Sequence, residues 1–324
     1  MALIENRKPA HILGDMVSPS SPALRWIALA VIAALTNACA APLATTSSPA
    51  AGDYPISAWT EVCEDWDNWD KPAPPFRIHG NTWYVGTCGI AAILITDDEG
   101  HVLFDSGTEA GALVVEANIE AAGFDVRDLL LIGYSHEHFD HVGGMAYLQE
   151  RSNALFISLE PGAEAMRTGQ SDPADPQHGM HDPFEPVRVD HIQDRPRGMA
   201  VGSNFPVSVS TPGHTLGATT WHWISCEPSG CMTIVYADSL SAVSADDYRF
   251  SDHPEYVQAF RDGIARLAGL DCDILLTPHP SASGMRDKLL AGDLTSGMDC
   301  AAYAADRLAR LETRLVEETQ DTAP

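Results

Sequence analysis

The stretch His136-Glu-His-Phe-Asp-His141, followed by Val142-Gly143-Gly144, decides how this sequence is read. Three imidazoles and two carboxylates fall within ~20 Å of extended chain, and the glycines behind them let the backbone approach a guest closely. Imidazole nitrogen with carboxylate oxygen at this density suits Zn²⁺ ahead of Fe, Mn or Co. A structural zinc site would be closed and rich in cysteine, and the chain has no Cys-x-x-Cys pair. An open, hydrolytic metal site is the reading that remains. Just upstream, Leu129-Leu-Leu-Ile-Gly-Tyr134 is a short apolar run of the kind that forms a buried strand. A helix is predicted over 142–151, so the His-rich segment occupies a loop at a strand end, where ligands sit on a rigid frame beside an open cleft.

A two-metal hydrolase needs about three protein ligands per ion and a shared water, so this segment is short of ligands. Two more histidines stand in similar settings. His214 lies in Thr211-Pro-Gly-His-Thr-Leu-Gly217, a turn between predicted strands, and His279 lies in Leu275-Leu-Thr-Pro-His-Pro280, at the end of an apolar strand. With His136, His138, Asp140 and His141 they make six ligands for two metals. The other histidines read differently: His178, His181 and His191 as solvated loop residues, and His79, His101, His222 and His253 as structural ones.

The 324 residues carry a formal charge of −26 and a pI near 4.6, which argues against nucleic acid or an anionic membrane surface as partner. Apolar residues after Arg25 end in Ala38-Cys39-Ala40-Ala41, the pattern of a secretory signal peptide spanning 1–40. Its apolar core is too short to span a bilayer comfortably, so no membrane span is expected in the mature chain. Cys39 leaves a lipoprotein as the alternative, and Met16 offers a second start. Residues 41–55 read as a disordered leader and 56–324 as the folded domain. Six cysteines remain after position 40, and export favours their pairing. Chain order suggests Cys63–Cys88, Cys226–Cys231 and Cys272–Cys300, among fifteen possible connectivities.

Within the domain, strands are predicted at 82–87, in a 91–105 hairpin turning at 97–100, at 129–134, 206–211, 218–224 and 232–236, with helices at 109–122, 142–151, 253–268 and 297–318. Residues 170–198 are poor in apolar side chains and rich in proline; a loop this long is read as a flap over the cleft. Strands and helices alternate, which makes the class α/β with layers.

Taken together, His136-x-His138-x-Asp140-His141, His214 in Thr-Pro-Gly-His-Thr and the late His279 resemble the metallo-β-lactamase superfamily over roughly residues 70–310. The resemblance implies a four-layered αβ/βα sandwich with a two-metal site along one edge. Pro75-Phe-Arg-Ile-His-Gly-Asn-Thr-Trp-Tyr-Val-Gly86, Ala237-Asp-Ser-Leu-Ser241 and Leu276-Thr-Pro-His-Pro-Ser-Ala-Ser-Gly284 look like one branch, subclass B3. In that branch serine replaces a cysteine ligand, here at Ser239. Carried over, the resemblance gives one zinc to His136, His138 and His214 and the second to Asp140, His141 and His279. Asp140 would also orient the attacking water, and Ser239 and Ser241 would bind the substrate carboxylate. Tyr248 is expected near the reacting carbonyl, and Asp105 as support behind the ligands. Ser106 stands where relatives often have glycine. The activity so implied is zinc-dependent hydrolysis of β-lactams in the periplasm, with antibiotic resistance as its consequence; the sequence leaves the oligomeric state open, with a monomer favoured.

Two rivals share parts of this pattern. A thiolester hydrolase or lactonase on the same scaffold would use a bridging aspartate after the third ligand, and Asp238 aligns with it; export, the cysteine pairs and the two serines argue the other way. A non-catalytic periplasmic metal-binding protein would need neither a flap nor serines beside an open site.

Overall fold

The computed structural model describes residues 54–320. The expected signal peptide, Met16, Cys39 and the leader up to residue 53 lie outside the described residues. Alternation along the strands builds the layers. In β3 (Ile93–Ile95) and β4 (His101–Phe104), Ile93, Ile95, Val102 and Phe104 point one way and Leu94 and Leu103 the other. All six are buried, so this sheet is covered on both faces, which a period of two permits only between two apolar layers.

The first sheet has seven strands in sequential order: β1 (Phe76–His79), β2 (Thr82–Tyr84), β3, β4, β5 (Leu129–Gly133), β6 (Leu155–Leu159) and β7 (His191–Gln193). The pairs from β1 to β4 are antiparallel and those from β4 to β7 parallel. The second sheet orders β11 (Ile274–Leu276), β10 (Gly230–Tyr236), β9 (Thr219–Glu227) and β8 (Val207–Ser210). Between the sheets lies a core with Phe76, Tyr84, Phe104, Trp221, Trp223, Ile234 and Tyr236; Phe104 stacks on Trp221 at 4.5 Å between centroids. Burying each such aromatic contributes ~2 kcal/mol or more from area alone.

Behind the first sheet pack α2 (Glu109–Ala121) and α4 (Met145–Ser152), through Val115, Ile119, Met145 and Leu148. Behind the second pack α6 (Pro254–Ala268) and α8 (Cys300–Gln320), through Phe260, Ile264, Leu267, Tyr303 and Leu311. Helix, sheet, sheet and helix are the four expected layers. Four short helices, α1 (Ile56–Val62), α3 (Phe139–Val142), α5 (Ala163–Thr168) and α7 (Met285–Ala291), fill the connections. Three disulfides form in the expected pairing: Cys63–Cys88, Cys226–Cys231 and Cys272–Cys300. The last one ties the region just before β11 to the start of α8. No helix among the described residues is long and apolar enough to cross a membrane.

Three boundaries differ from the sequence reading. The helix expected at 142–151 forms as α4 but starts later, at Met145, while Val142 closes a separate single turn, α3; between them Gly144 packs so closely that a Cβ there would meet that of Ala112 at 2.3 Å. The hairpin of β9 and β10 runs further toward its tip than predicted, through Cys226 paired with Cys231. The flap ends in a strand, β7, which adds to the sheet edge through Ile157↔His191.

Candidate metal centre and active site

Every histidine of the predicted set lies in a loop or a single helical turn beyond a strand, along the edge where the two sheets open. His136 and His138 follow β5, Asp140 and His141 sit in α3, His214 stands between β8 and β9, and His279 follows β11. Backbone strain helps to aim them. Asp105, just after β4, is non-glycine at φ 62°, and Leu240, just after Ser239, at φ 44°. Such conformations cost about 1–3 kcal/mol and persist where the surroundings over-determine them. Asp105 is held by the Ser135 N–H (2.6 Å), the Ser135 hydroxyl (2.7 Å) and the Tyr236 hydroxyl (2.6 Å). It thereby faces Nδ1 of His141 at 3.4 Å.

The ligand atoms of His136, His138 and His214 lie within 4.8 Å of one another, and so do those of His136, Asp140 and His141. His279 stands slightly apart, with Nε2 3.4 Å from Asp140 Oδ2 and its ring 4.9 Å from that of His141. Partners on the far nitrogens decide which lone pairs face inward. His136 Nδ1 donates to Asp238 Oδ1 at 2.9 Å, which leaves Nε2 buried without a partner. His138 Nε2 donates to Asp175 Oδ2 at 2.9 Å and frees Nδ1. His214 Nδ1 donates to the Ser241 carbonyl at 3.0 Å and lies 2.9 Å from its hydroxyl, so Nε2 turns inward, 3.3 Å from the Gln177 amide. His141 Nε2 lies 3.1 Å from Asp140 Oδ2, and neither of its ring nitrogens has an aligned hydrogen bond.

Electrostatics prepare the same set. Burial pushes His136 well down, His214 to about 3 and His279 to about 4, which keeps these imidazoles neutral and their lone pairs available. Burial would raise Asp140, yet the charge of neighbouring His141 holds its carboxyl below the usual range. His141 goes the opposite way, to about 10: burial opposes, and the Asp140 and Asp105 carboxylates win. This corner of the site therefore demands a positive charge. Buried unpartnered nitrogens beside an ionised carboxylate fit a metal ion.

Two neighbouring loops complete the frame. Glu137, inside the motif, accepts from the Thr215 hydroxyl at 2.7 Å and the Gly217 N–H at 3.0 Å, joining the first ligand loop to that of His214. Gly217 is needed there, because a Cβ would stand 2.6 Å from Gly162 Cα and 2.7 Å from Glu137 Oε2. Asp238 is fully buried and holds His136 Nδ1 and the Leu240 N–H. Its two carboxylate oxygens are turned to the back of His136 and to the Leu240 N–H, an arrangement that suits support behind a ligand better than the bridging aspartate of a thiolester hydrolase. Ser239 keeps its hydroxyl buried and unpartnered, and its carbonyl accepts from the Tyr303 hydroxyl at 2.7 Å.

A cavity of about 640 Å³ opens over these groups, lined by His138, Asp140, His214 and His279 together with Ser239 and Ser241. Its volume suits a drug-sized ligand. Trp66 and Trp69 form one wall, with rings 6.4 and 6.0 Å from His279. The flap forms another through Gln177, Met180 and His181, and Arg307, Arg310 and Arg314 of α8 form a third. Two expectations are corrected here. His181 is not a solvated loop residue: its ring lies 5.0 Å from Phe139 and 5.8 Å from His138, inside the cavity wall, because the flap folds inward. Tyr248 is not at the reacting centre but stacks on His253 at 4.4 Å and packs on Phe250, drawn into the α6–α8 core.

Asp175, Gln177 and the two tryptophans were not among the predicted site residues. Asp175 sits in Asp172-Pro-Ala-Asp-Pro176, which reads as turn chemistry, and only the fold brings it to His138. Replacing Asp175 with alanine is expected to weaken metal binding at the His136/His138/His214 triad by about 10- to 100-fold, since the orienting partner of His138 is lost. Competition against a chromophoric chelator measures this; unchanged affinity would mean that Asp175 does not position His138.

Comparison with known proteins follows the same lines. The family described as the metallo-beta-lactamase superfamily matches residues 85–238. Among solved structures, the MIM-2 metallo-β-lactamase is 50% identical, with 81% of this chain and 98% of that chain covered at a TM-score of 0.77. MIM-1 from Novosphingobium pentaromativorans is 42% identical, covering 82% and 100% at 0.80. MEM-A1, a subclass B3 metallo-β-lactamase from a soil metagenome library, is 34% identical, covering 79% and 100% at 0.74. With near-complete coverage of these relatives and the histidine loops gathered at one sheet edge, this chain belongs to the metallo-β-lactamase superfamily, in its subclass B3 branch.

Proposed function

We propose that the protein is a zinc-dependent β-lactamase that hydrolyses the amide bond of penicillins, cephalosporins and carbapenems and so confers antibiotic resistance. The observation that carries this reading is the pair of ligand sets sharing one cavity with an unpartnered buried hydroxyl, Ser239. Two zinc ions are assigned, one to His136, His138 and His214, the other to Asp140, His141 and His279. When bound, such a pair supplies Lewis acidity and a water acidified toward pH 7.

The remaining chemistry belongs to the chain. Asp140, held ionised by His141, orients the attacking water at Oδ2. Ser239 donates its free hydroxyl to the substrate carboxylate, and the Tyr303 hydroxyl fixes the Ser239 backbone while it does so. Ser241 contributes beside it, in contact with His214. Trp66, Trp69 and the flap cover the acyl side of the substrate and exclude bulk water there, which strengthens the electrostatics beneath. No nucleophilic side chain is required.

Three disulfides in the described residues support an oxidising destination. The periplasm, reached by a signal peptide ending at Ala40 and followed by a leader and a monomeric domain from residue 56, is the assignment we favour. In the decisive experiment, nitrocefin turnover is expected to vanish on dialysis against EDTA and to return with Zn²⁺, at two ions per chain by metal analysis. Zinc uptake with no β-lactam turnover would overturn the reading and leave a metal-binding protein.

A further inference from the structure

We propose that the cavity-facing side of α8 is a subsite for a second anionic group on the substrate, carried on the arm next to the ring carboxylate, with Arg310 as its contact. The inference rests on the β-lactamase reading and extends it to the choice among cephalosporins. Arg307, Arg310 and Arg314 fall at i, i+3 and i+7, one face of a helix, and all three line the cavity. They are three of only 19 basic residues in a chain with 45 acidic ones.

Their commitments differ. Arg314 is spent: Nε meets Glu318 at 2.7 Å, one terminal nitrogen donates to the Ser244 hydroxyl at 2.8 Å, and the guanidinium lies 5.5 Å from the Phe250 ring. Arg307 is 11% exposed, lies 4.7 Å over the Tyr303 ring and bonds Asp306. Arg310 is 66% exposed and reaches the same Asp306 oxygen through Nε alone, at 2.8 Å. One carboxylate thus serves two guanidiniums, and among the described residues the terminal nitrogens of Arg310 carry no hydrogen bond, open to a planar, bidentate anion.

Location names the part of the ligand. The arginine wall adjoins the serine segment: Tyr303, under Arg307, holds the Ser239 carbonyl, and Arg314 reaches the Ala242 carbonyl at 3.4 Å. Past Arg310 the cavity continues into a shallow groove along α8 lined by Ala242, Ala309, Thr313 and Glu317. The opposite wall is aromatic, with Trp66 and Trp69. A cephalosporin whose ring carboxylate docks at Ser239 extends the arm on the adjacent ring carbon into this groove. Penicillins have no such arm.

The test uses three cephalosporins with one acyl side chain and an anionic, neutral or cationic arm, assayed on the zinc-loaded wild type, Arg310→Gln and Arg310→Glu. The ratio of kcat/KM for the anionic over the neutral arm is expected to fall about threefold to tenfold in Arg310→Gln, through KM, and further in Arg310→Glu. The ratio for the cationic arm rises in Arg310→Glu. Calorimetry of the hydrolysed anionic-arm product on the metal-loaded protein should show the same loss of affinity, and in the wild type a loss at about 0.5 M salt. Ratios and affinities that neither variant moves overturn the inference. Failure of the wild type to hydrolyse even the neutral-arm compound overturns the β-lactamase reading instead, and product calorimetry then decides the subsite alone.

Discussion

Replacing Asp140 with alanine is expected to cut β-lactam turnover by about 10²- to 10⁴-fold while the secondary structure is retained. This carboxylate is the single group placed to do two things: it lies 3.1 Å from His141 Nε2 and 3.4 Å from His279 Nε2, and it lines the cavity. Its removal leaves the two rings without the charge that gathers them and the water without its orienting acceptor. Asp140→Asn separates the two losses, because it keeps the shape and an oxygen while removing the charge. Initial rates on a carbapenem, with zinc content measured on the same samples, check this. Near-normal carbapenem turnover by Asp140→Ala would refute the assignment.

The second large effect is expected from a residue that touches no metal. Glu137→Ala should destabilise the fold by about 2–4 kcal/mol, because it strands the Thr215 hydroxyl and the Gly217 N–H in a buried site. It should also release zinc from the first triad, since His138 and His214 flank the two ends of this link. Glu137→Gln keeps the acceptor oxygen and should lose less. Chemical unfolding monitored with and without zinc reads both effects; an unfolding midpoint unchanged by Glu137→Ala would show that the loop junction does not depend on this carboxylate.

The ease with which each of these residues was read from sequence follows from how it is held. His136, His138, Asp140 and His141 crowd one loop, so their chemistry is local and legible. His214 and His279 were legible because each stands beside proline and glycine or proline at a strand end, the turn chemistry that ligand loops share. The layers followed from period-two runs such as Ile93-Leu94-Ile95. Asp175 was not legible, since its role depends on how a proline-rich segment folds back over 37 residues to His138. His181 was misread for the same reason. Tyr248 was misplaced because apolar packing on α6 outweighed its position shortly after Ser241. The arginines of α8 were not singled out in the sequence, and only the fold brings them to the cavity.

The bonds that aim the ligands join distant parts of the chain: His136 to Asp238 across 102 residues and Tyr236 to Asp105 across 131. Closing loops of that length carries an entropic cost that neighbouring contacts do not, and contacts of such range slow folding. No fragment emerging early in synthesis possesses this site, and no half of the sandwich can assemble it alone. A complete ligand set for a metal therefore exists only once both sheets have docked.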